Sequence, residues 1–169
     1  IEASSFPKFY YDFLAYRKSL KQNTTPYTTA VSMVIAANEA LGMILEEGLD
    51  NIFARNKNLA EACRKAVKAI GLDLFADEKY SSDLITSIAA PEGIDIEDVR
   101  KTMNLRYDIM IAGGQQHLKG KIIRIGHMGY VDGFDLLKTI SALELSLLNA
   151  GYHLELGTAL SAAQKTLKI

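Results

Sequence analysis

One arginine interrupts an apolar strand pattern and could bind an anion. Residues 121–126 read Lys-Ile-Ile-Arg-Ile-Gly, and strand alternation places Arg124 on the face opposite to its two isoleucine neighbours. The planar guanidinium of arginine binds a carboxylate through two parallel hydrogen bonds, and Gly120, Gly126 and Gly129 would let a small ligand approach the backbone. The sequence therefore offers Arg124 as a candidate carboxylate site, with an internal salt bridge or a solvent-facing edge position as the alternatives.

A loop rich in hydroxyl groups is the second candidate. Residues 22–29 read Gln-Asn-Thr-Thr-Pro-Tyr-Thr-Thr and precede a long helical pattern. Hydroxyls and free amides at a helix N-terminus suit a phosphate, although the same residues also serve as ordinary helix caps. The pair Gly113-Gly114 also has two interpretations, since it marks either a tight turn or a close approach of backbone to a ligand.

The other reactive side chains predict neither a metal site nor a nucleophile. Cys63 lies on the apolar stripe of a predicted helix, so we expect a buried, inert thiol that can form no disulfide within the chain. His117, His127 and His153 are too dispersed for a metal-ligand spacing and are expected to be structural or exposed. The motifs of common nucleophile elbows, phosphate loops and dinucleotide folds are absent from the sequence.

Composition narrows the class of protein further. The 169 residues carry 19 basic and 20 acidic side chains, which leaves no electrostatic case for nucleic acid or an acidic membrane. Hydrophobic residues make up 49% and charged residues 23%, as in an ordered globular domain. No apolar run reaches the roughly 20 residues of a spanning helix, and no secretory signal pattern opens the chain. With a single cysteine, these features predict a cytoplasmic protein.

The elements that must hold these residues change character along the chain. Helical periodicity predicts a short helix at residues 9–16 and a long one at 30–70, with Thr28 or Thr29 as N-cap and a break at Gly48. Extended patterns follow at 72–75, 84–89, 108–112 and 121–126, helices begin after Asp95 and Asp132, and a further helix or frayed tail is expected at 156–167. The order predicts an α+β fold: a small, mainly antiparallel sheet covered by helices and preceded by a long helix.

Four segments lie in an order that matches one protein family. They are Thr25-Pro26-Tyr27-Thr28, Glu46-Glu47-Gly48-Leu49-Asp50-Asn51, Gly113-Gly114, and the run 120–129 with the sequence Gly-Lys-Ile-Ile-Arg-Ile-Gly-His-Met-Gly. Together they resemble the C-terminal part of class V pyridoxal-phosphate aminotransferases, in particular the alanine:glyoxylate and serine:pyruvate (or serine:glyoxylate) group. The resemblance implies the small C-terminal domain of a fold-type I enzyme at residues 30–169, with residues 1–29 leading in from a large domain.

The resemblance also implies roles for individual residues. Arg124 matches the family arginine that binds the substrate α-carboxylate. Thr28 matches a threonine that reaches the cofactor phosphate of the partner subunit, and Thr25 falls where some members carry a tyrosine with the same duty. Gly113 and Gly114 match a glycine pair near the mouth of the active site.

The family's catalytic lysine, the aspartate that pairs with the pyridine nitrogen and the aromatic residue stacked on the ring lie in the large domain. No lysine here follows the lysine motif, and Lys8, nearest in position, has the unmatched context Phe6-Pro7. We therefore expect no catalytic residue and no metal ligand in this chain, and no activity from the chain alone. The start at Ile1 favours a fragment made by engineering or proteolysis over one piece of a split gene.

The leading expectation is a homodimeric parent enzyme that uses pyridoxal phosphate. It would transfer an amino group from a small amino acid, alanine or serine, to a 2-oxo acid, glyoxylate or pyruvate. The alternative is a non-catalytic subunit or interaction module that kept the small-domain fold, as in proteins named soluble hydrogenase subunits. A third reading is an isolated α+β domain that binds a small carboxylate at Arg124 without a cofactor.

Overall fold

The expected mixture of helices and short strands is present in the computed structural model, which describes residues 3–167. The helices are α1 (Phe13–Leu20), α2 (Val31–Glu47), α3 (Leu49–Ala69), α4 (Ile96–Tyr107), α5 (Gly133–Asn149) and α6 (Thr158–Thr166), and the strands are β1 (Ile85–Ala89), β2 (Ala112–Gly113) and β3 (Ile122–Gly126). Backbone contacts divide the chain into two units, Ile1–Gly48 and Leu49–Ile169. The predicted domain boundary between residues 29 and 30 stays a prediction.

The helix predicted at residues 9–16 is divided in the first unit. A 3-10 turn, Phe9–Tyr11, precedes α1, because Asp12 interrupts the helical conformation and caps the following helix. Its carboxylate accepts hydrogen bonds from the backbone of Leu14 at 3.0 Å and of Ala15 at 3.4 Å.

The long helical segment breaks where the glycine predicts. Gly48 adopts φ +83°, a conformation that side-chain-bearing residues rarely adopt, and separates α2 from α3. The start of α2 differs from expectation: Ala30 precedes it with no side-chain cap, so the prediction of Thr28 or Thr29 as N-cap is wrong. The Thr29 hydroxyl instead bonds within the preceding loop, to Thr25 at 3.0 Å.

The sheet lies in the second unit and is antiparallel, with β3 between β1 and β2. Two predicted strands are shorter than expected. Residues 72–75 contribute only a bridge between Leu74 and Ile88. The pattern at 108–112 reduces to the first residue of β2, because Asp108 takes a left-handed conformation that ends α4. The predicted α+β class with a small antiparallel sheet is confirmed.

One face of the sheet forms the core with the helices. Ile88, Ile123 and Ile125 are at most 2% exposed, α3 packs against β1 and α4 against β3, and apolar side chains of α5 belong to the same core. Burying each such isoleucine contributes about 1.5–3 kcal/mol, so this face fixes the register of the strands. The opposite face is half-exposed along β1 and carries Arg124.

The last two helices follow the sequence pattern closely. α5 begins after Asp132, as predicted, and Asp132 and Asp135 form a complete capping box there. The tail forms α6, whose Ala159 and Ala163 are fully buried against neighbouring helices.

Candidate functional site

Arg124 projects from the central strand of the sheet with most of its hydrogen-bonding capacity unused. Its Nε donates to the carbonyl oxygen of Gly113 at 3.1 Å. Within residues 3–167 it forms no ion pair and no other hydrogen bond, so both terminal nitrogens are free of protein acceptors. The internal salt bridge considered from the sequence is therefore wrong for this part of the chain, and a half-buried guanidinium is available to an anion.

A cavity of about 270 Å³ lies beside this arginine. Its lining includes Arg64, Ser82 and Ser87 together with Arg124. Arg64 is already engaged, because it donates to the Ser82 carbonyl at 2.6 Å and lies 3.4 Å from the carboxylate of Asp83. Of the two guanidinium groups that line this cavity, Arg124 is the one whose terminal nitrogens both lack a protein acceptor among residues 3–167.

Close packing explains why two glycines precede the 3-10 turn at Gln116–Leu118. A Cβ at Gly114 would lie 1.9 Å from the carbonyl oxygen of Leu118, which is rigid backbone. A Cβ at Gly113 would lie 2.7 Å from a carboxylate oxygen of Glu97. The pair therefore allows this chain to approach itself closely, and the Gly113 carbonyl orients Arg124. The sequence pattern contained no signal for that hydrogen bond.

The hydroxyl groups of the threonine-rich loop, residues 22–29, differ in whether they have a hydrogen-bond partner. Thr25 Oγ1 donates to the Tyr27 carbonyl at 2.7 Å and bonds Thr29 Oγ1, so Thr25 holds the loop in shape. Thr28 is exposed, and its hydroxyl has no hydrogen-bond partner in the described chain. Thr25 and Thr28 both line an open cavity of about 580 Å³ with Tyr10. Thr28 and Thr24, which lines the same cavity, thus carry hydroxyls with free capacity for an incoming ligand within the described chain.

Aromatic side chains fix this loop to the start of the first unit. The Tyr27 ring lies 4.6 Å from the Tyr10 ring and 5.4 Å from the Phe9 ring, and its hydroxyl donates to the Phe9 carbonyl at 3.2 Å. Such ring pairs and the added hydrogen bond stabilise a loop that has no regular secondary structure. They give Phe9 and Tyr10 a structural role that the prediction of one helix at residues 9–16 did not contain.

A buried polar network lies beneath the Arg124 cavity, and sequence reasoning missed it. His127 is fully buried: its Nδ1 donates to the Asp83 carbonyl at 3.0 Å, and its Nε2 accepts from the Thr86 hydroxyl at 3.0 Å. Burial lowers the pKa of His127 below 6.5, which favours the neutral ring at pH 7. Burial also raises the pKa of Cys63 to about 11, although the neighbouring Thr86 side chain and the charge of Arg64 oppose the shift. The prediction that Cys63 is a buried thiol is confirmed, and His127 is one of the histidines that were expected to be structural or exposed.

The other two histidines, His117 and His153, are exposed, as expected. Among residues 3–167, no three His, Cys, Asp or Glu side chains come together as a metal site. None of the helices in the described part of the chain combines the length and apolar character needed to cross a bilayer.

Comparison with known proteins gives a consistent group of relatives. No protein-family model matches the chain. The chain is 43% identical to the soluble hydrogenase small subunit of a Synechococcus strain over 98% of its own length and 43% of that protein's. It is 35% identical to the serine–glyoxylate aminotransferase of Methylorubrum extorquens, over 95% of this chain and 40% of that protein.

The fold has a solved counterpart as well. The ureidoglycine–glyoxylate aminotransferase of Bacillus subtilis aligns with a TM-score of 0.88 and 34% identity, over 93% of this chain and 41% of that structure. The chain therefore spans about two fifths of the length of the relatives that it matches.

Proposed function

We propose that this chain is the C-terminal part of a class V pyridoxal-phosphate-dependent aminotransferase, because several of its sequence relatives and structural neighbours are named aminotransferases. The full-length protein would move an amino group from alanine or serine to glyoxylate or pyruvate. The proposal includes a cytoplasmic location, which the composition predicts, and a homodimer. The single observation that carries it is the free guanidinium edge of Arg124 in a chain with these relatives.

Arg124 would bind the α-carboxylate of the substrate. The hydrogen bond from Nε to Gly113 leaves the two terminal nitrogens free. Their spacing matches the two oxygens of a carboxylate. The position of Arg124 on a central strand supports the role, because a rigid element holds a binding group more accurately than a loop does. Binding the carboxylate would orient the substrate before any bond changes.

Thr28 would donate its hydroxyl to the phosphate of the cofactor held by the partner subunit. Its exposure and free hydroxyl support this role, and the Thr25 bond to Tyr27 makes Thr25 the weaker candidate for the same phosphate. Both assignments rest on the resemblance of residues 25–28 to the family loop.

The fit to the cofactor is limited to one end. The lysines among residues 3–167 are exposed or half-exposed, and none lies buried in an apolar pocket of the kind that activates a lysine. The described residues thus suit the phosphate end of pyridoxal phosphate and not its aldehyde end. When bound, the cofactor supplies the electron sink for amino-group transfer, and this chain would supply binding and orientation. The catalytic lysine would come from the rest of the full-length protein.

The surface of α2 supports the view that more protein covers this chain. None of its residues is buried, although it carries only glutamates as charged groups and eight large apolar side chains between Val31 and Leu45 that are 39–80% exposed. A helix that is apolar on all sides is normally buried in a larger protein. We propose that the large domain or the second subunit covers it.

Reconstitution tests this proposal. The full-length protein and the 169-residue chain are each incubated with pyridoxal phosphate, and the bound cofactor is followed by its visible absorbance. Alanine or serine is then supplied with glyoxylate, and glycine is measured. We expect cofactor and glycine from the full-length protein alone. A full-length protein that neither binds the cofactor nor forms glycine would contradict the proposal.

A second candidate has one specific observation in its favour. Relatives from Synechococcus and Anabaena cylindrica, 43% and 41% identical, are named as subunits of a soluble hydrogenase. Under this alternative the full-length protein is a non-catalytic subunit. It would then bind another polypeptide in a pull-down and show no exchange of amino groups in the assay above.

A further inference from the structure

An ion pair on α4 lies against the backbone that holds Arg124. Glu97 and Arg100 are one helical turn apart, and Oε2 of Glu97 accepts from Nε of Arg100 at 3.0 Å and lies 2.9 Å from its Nη2. Both side chains are partly buried, at 20% and 31% exposure, so the surrounding protein limits their movement and weakens screening by solvent.

The second carboxylate oxygen of Glu97 faces the strand. Oε1 lies 2.7 Å from the place where a Cβ of Gly113 would be, and Nε of Arg100 lies 3.4 Å from the same point. The ion pair therefore occupies the space that a side chain at residue 113 would need. It packs against one side of Gly113, while the carbonyl oxygen of the same residue accepts from Arg124.

We infer that Glu97 and Arg100 are positioning residues for Arg124 and act through Gly113. An arginine side chain has several rotatable bonds, and one hydrogen bond at Nε selects the orientation in which the terminal nitrogens remain free. That selection requires the accepting carbonyl to stay in place. β2 has only two residues and pairs with β3 alone, so the ion pair supplies the restraint that a longer strand would give.

The positioning of Arg124 does not depend on the proposed function; only its expected effect on carboxylate binding rests on that function. Neither Glu97 nor Arg100 is assigned a contact with the substrate. Their effect would appear in the orientation of Arg124 first and in affinity second.

The Nε–H resonance of Arg124 in the 169-residue chain reports the orientation directly. It is assigned by its disappearance in Arg124→Lys and recorded in Glu97→Ala, in Glu97→Gln and in a matched control, Glu78→Ala. The control removes the half-exposed ion pair between Lys68 and Glu78, which lies elsewhere in the same unit. A titration with pyruvate gives the affinity of each protein, and a urea titration gives its stability.

We expect Glu97→Ala to shift the Arg124 resonance and to weaken pyruvate binding by about threefold, the size expected for a misaligned charge-assisted hydrogen bond. Glu97→Gln keeps the contact with Gly113 and should restore most of the signal. Glu78→Ala should change neither reading. If Glu97→Ala fails to fold, Gly113→Ala, which displaces the same carboxylate, replaces it.

An unchanged Arg124 resonance in Glu97→Ala would overturn the inference, and so would an equal shift in Glu78→Ala. Failure of the proposed function looks different: the full-length protein would then form no glycine in the reconstitution assay, while the resonance would still decide the positioning role. The double variant Glu97→Ala, Gly113→Ala adds a further check, because two changes at one contact should not have additive effects.

Discussion

Ser87 and Arg124 stand directly opposite each other in the antiparallel pairing of β1 with β3, and Ala112 of β2 is opposite Arg124 on its other side. Residues paired in this way point to the same face and have their Cβ atoms about 5 Å apart. Arg124 thus leaves the sheet between a hydroxyl group and a methyl group. Because Ser87 and Ala112 are small, the guanidinium of Arg124 has space on both sides, which two large side chains would fill.

The carboxylate role of Arg124 predicts a specific kinetic change in the full-length protein. Arg124→Ala removes a charge-assisted pair of hydrogen bonds worth about 1.5–3 kcal/mol, so KM for the 2-oxo acid should rise by about 10- to 100-fold. Arg124→Lys keeps the charge without the planar fork and should show a smaller rise. Arg106→Lys, an exposed position on α4, is the matched control. Equal KM values in all four proteins would exclude the role.

Gly114 should tolerate no side chain. In Gly114→Ala the new methyl group would lie 1.9 Å from the Leu118 carbonyl oxygen, and backbone must move to relieve the overlap. The free energy of unfolding in urea should fall by about 2 kcal/mol or more. Gly42→Ala is the control: nothing lies within 4 Å of its added Cβ, and it should raise stability by up to about 1 kcal/mol because alanine favours helix. Equal effects would show that the close approach has no energetic consequence.

The buried histidine predicts a loss of stability in acid. Burial lowers the pKa of folded His127 below its ordinary value of 6.5, so below that pH the unfolded chain takes up a proton that the folded chain excludes. The free energy of unfolding that the neutral His127 contributes is complete above pH 6.5. It decreases as the pH is lowered toward the folded pKa, by at most about 1.4 kcal/mol per pH unit.

Urea unfolding between pH 5 and pH 7.5 measures this slope. His127→Gln should be less stable at pH 7.5 and should lose this histidine's share of the slope. His153→Gln, at an exposed position, should keep the slope of the unaltered chain. A slope that survives in His127→Gln would assign the acid sensitivity to other groups.

The sequence was most informative where local patterns decide the structure. The break at Gly48, the start of α5 after Asp132, and the alternation around Arg124 depend on residues close together in the chain. The contacts that it did not predict join distant residues: Thr86 with His127, and Gly113 with both Glu97 and Arg124. Periodicity carries no information about such pairs, since each side chain also fits an ordinary strand or helix position.

The attachment of α6 depends on a carboxylate from another helix. Glu144 of α5 is 3% exposed and accepts from the backbone of Gly157 at 2.9 Å and of Ala159 at 2.6 Å, so it caps α6 from outside. Glu144→Ala leaves these amides unpaired in the interior and should reduce stability by about 2–3 kcal/mol. Glu155→Ala, an exposed neighbour, should change it by less than about 0.5 kcal/mol.

Hydrogen exchange separates a local effect from a general one. Amides of α6 should exchange faster in Glu144→Ala than those of α4, because α6 loses its cap while α4 keeps Asp95. A uniform increase across both helices would mean that Glu144 stabilises the second unit as a whole and not the docking of α6 in particular.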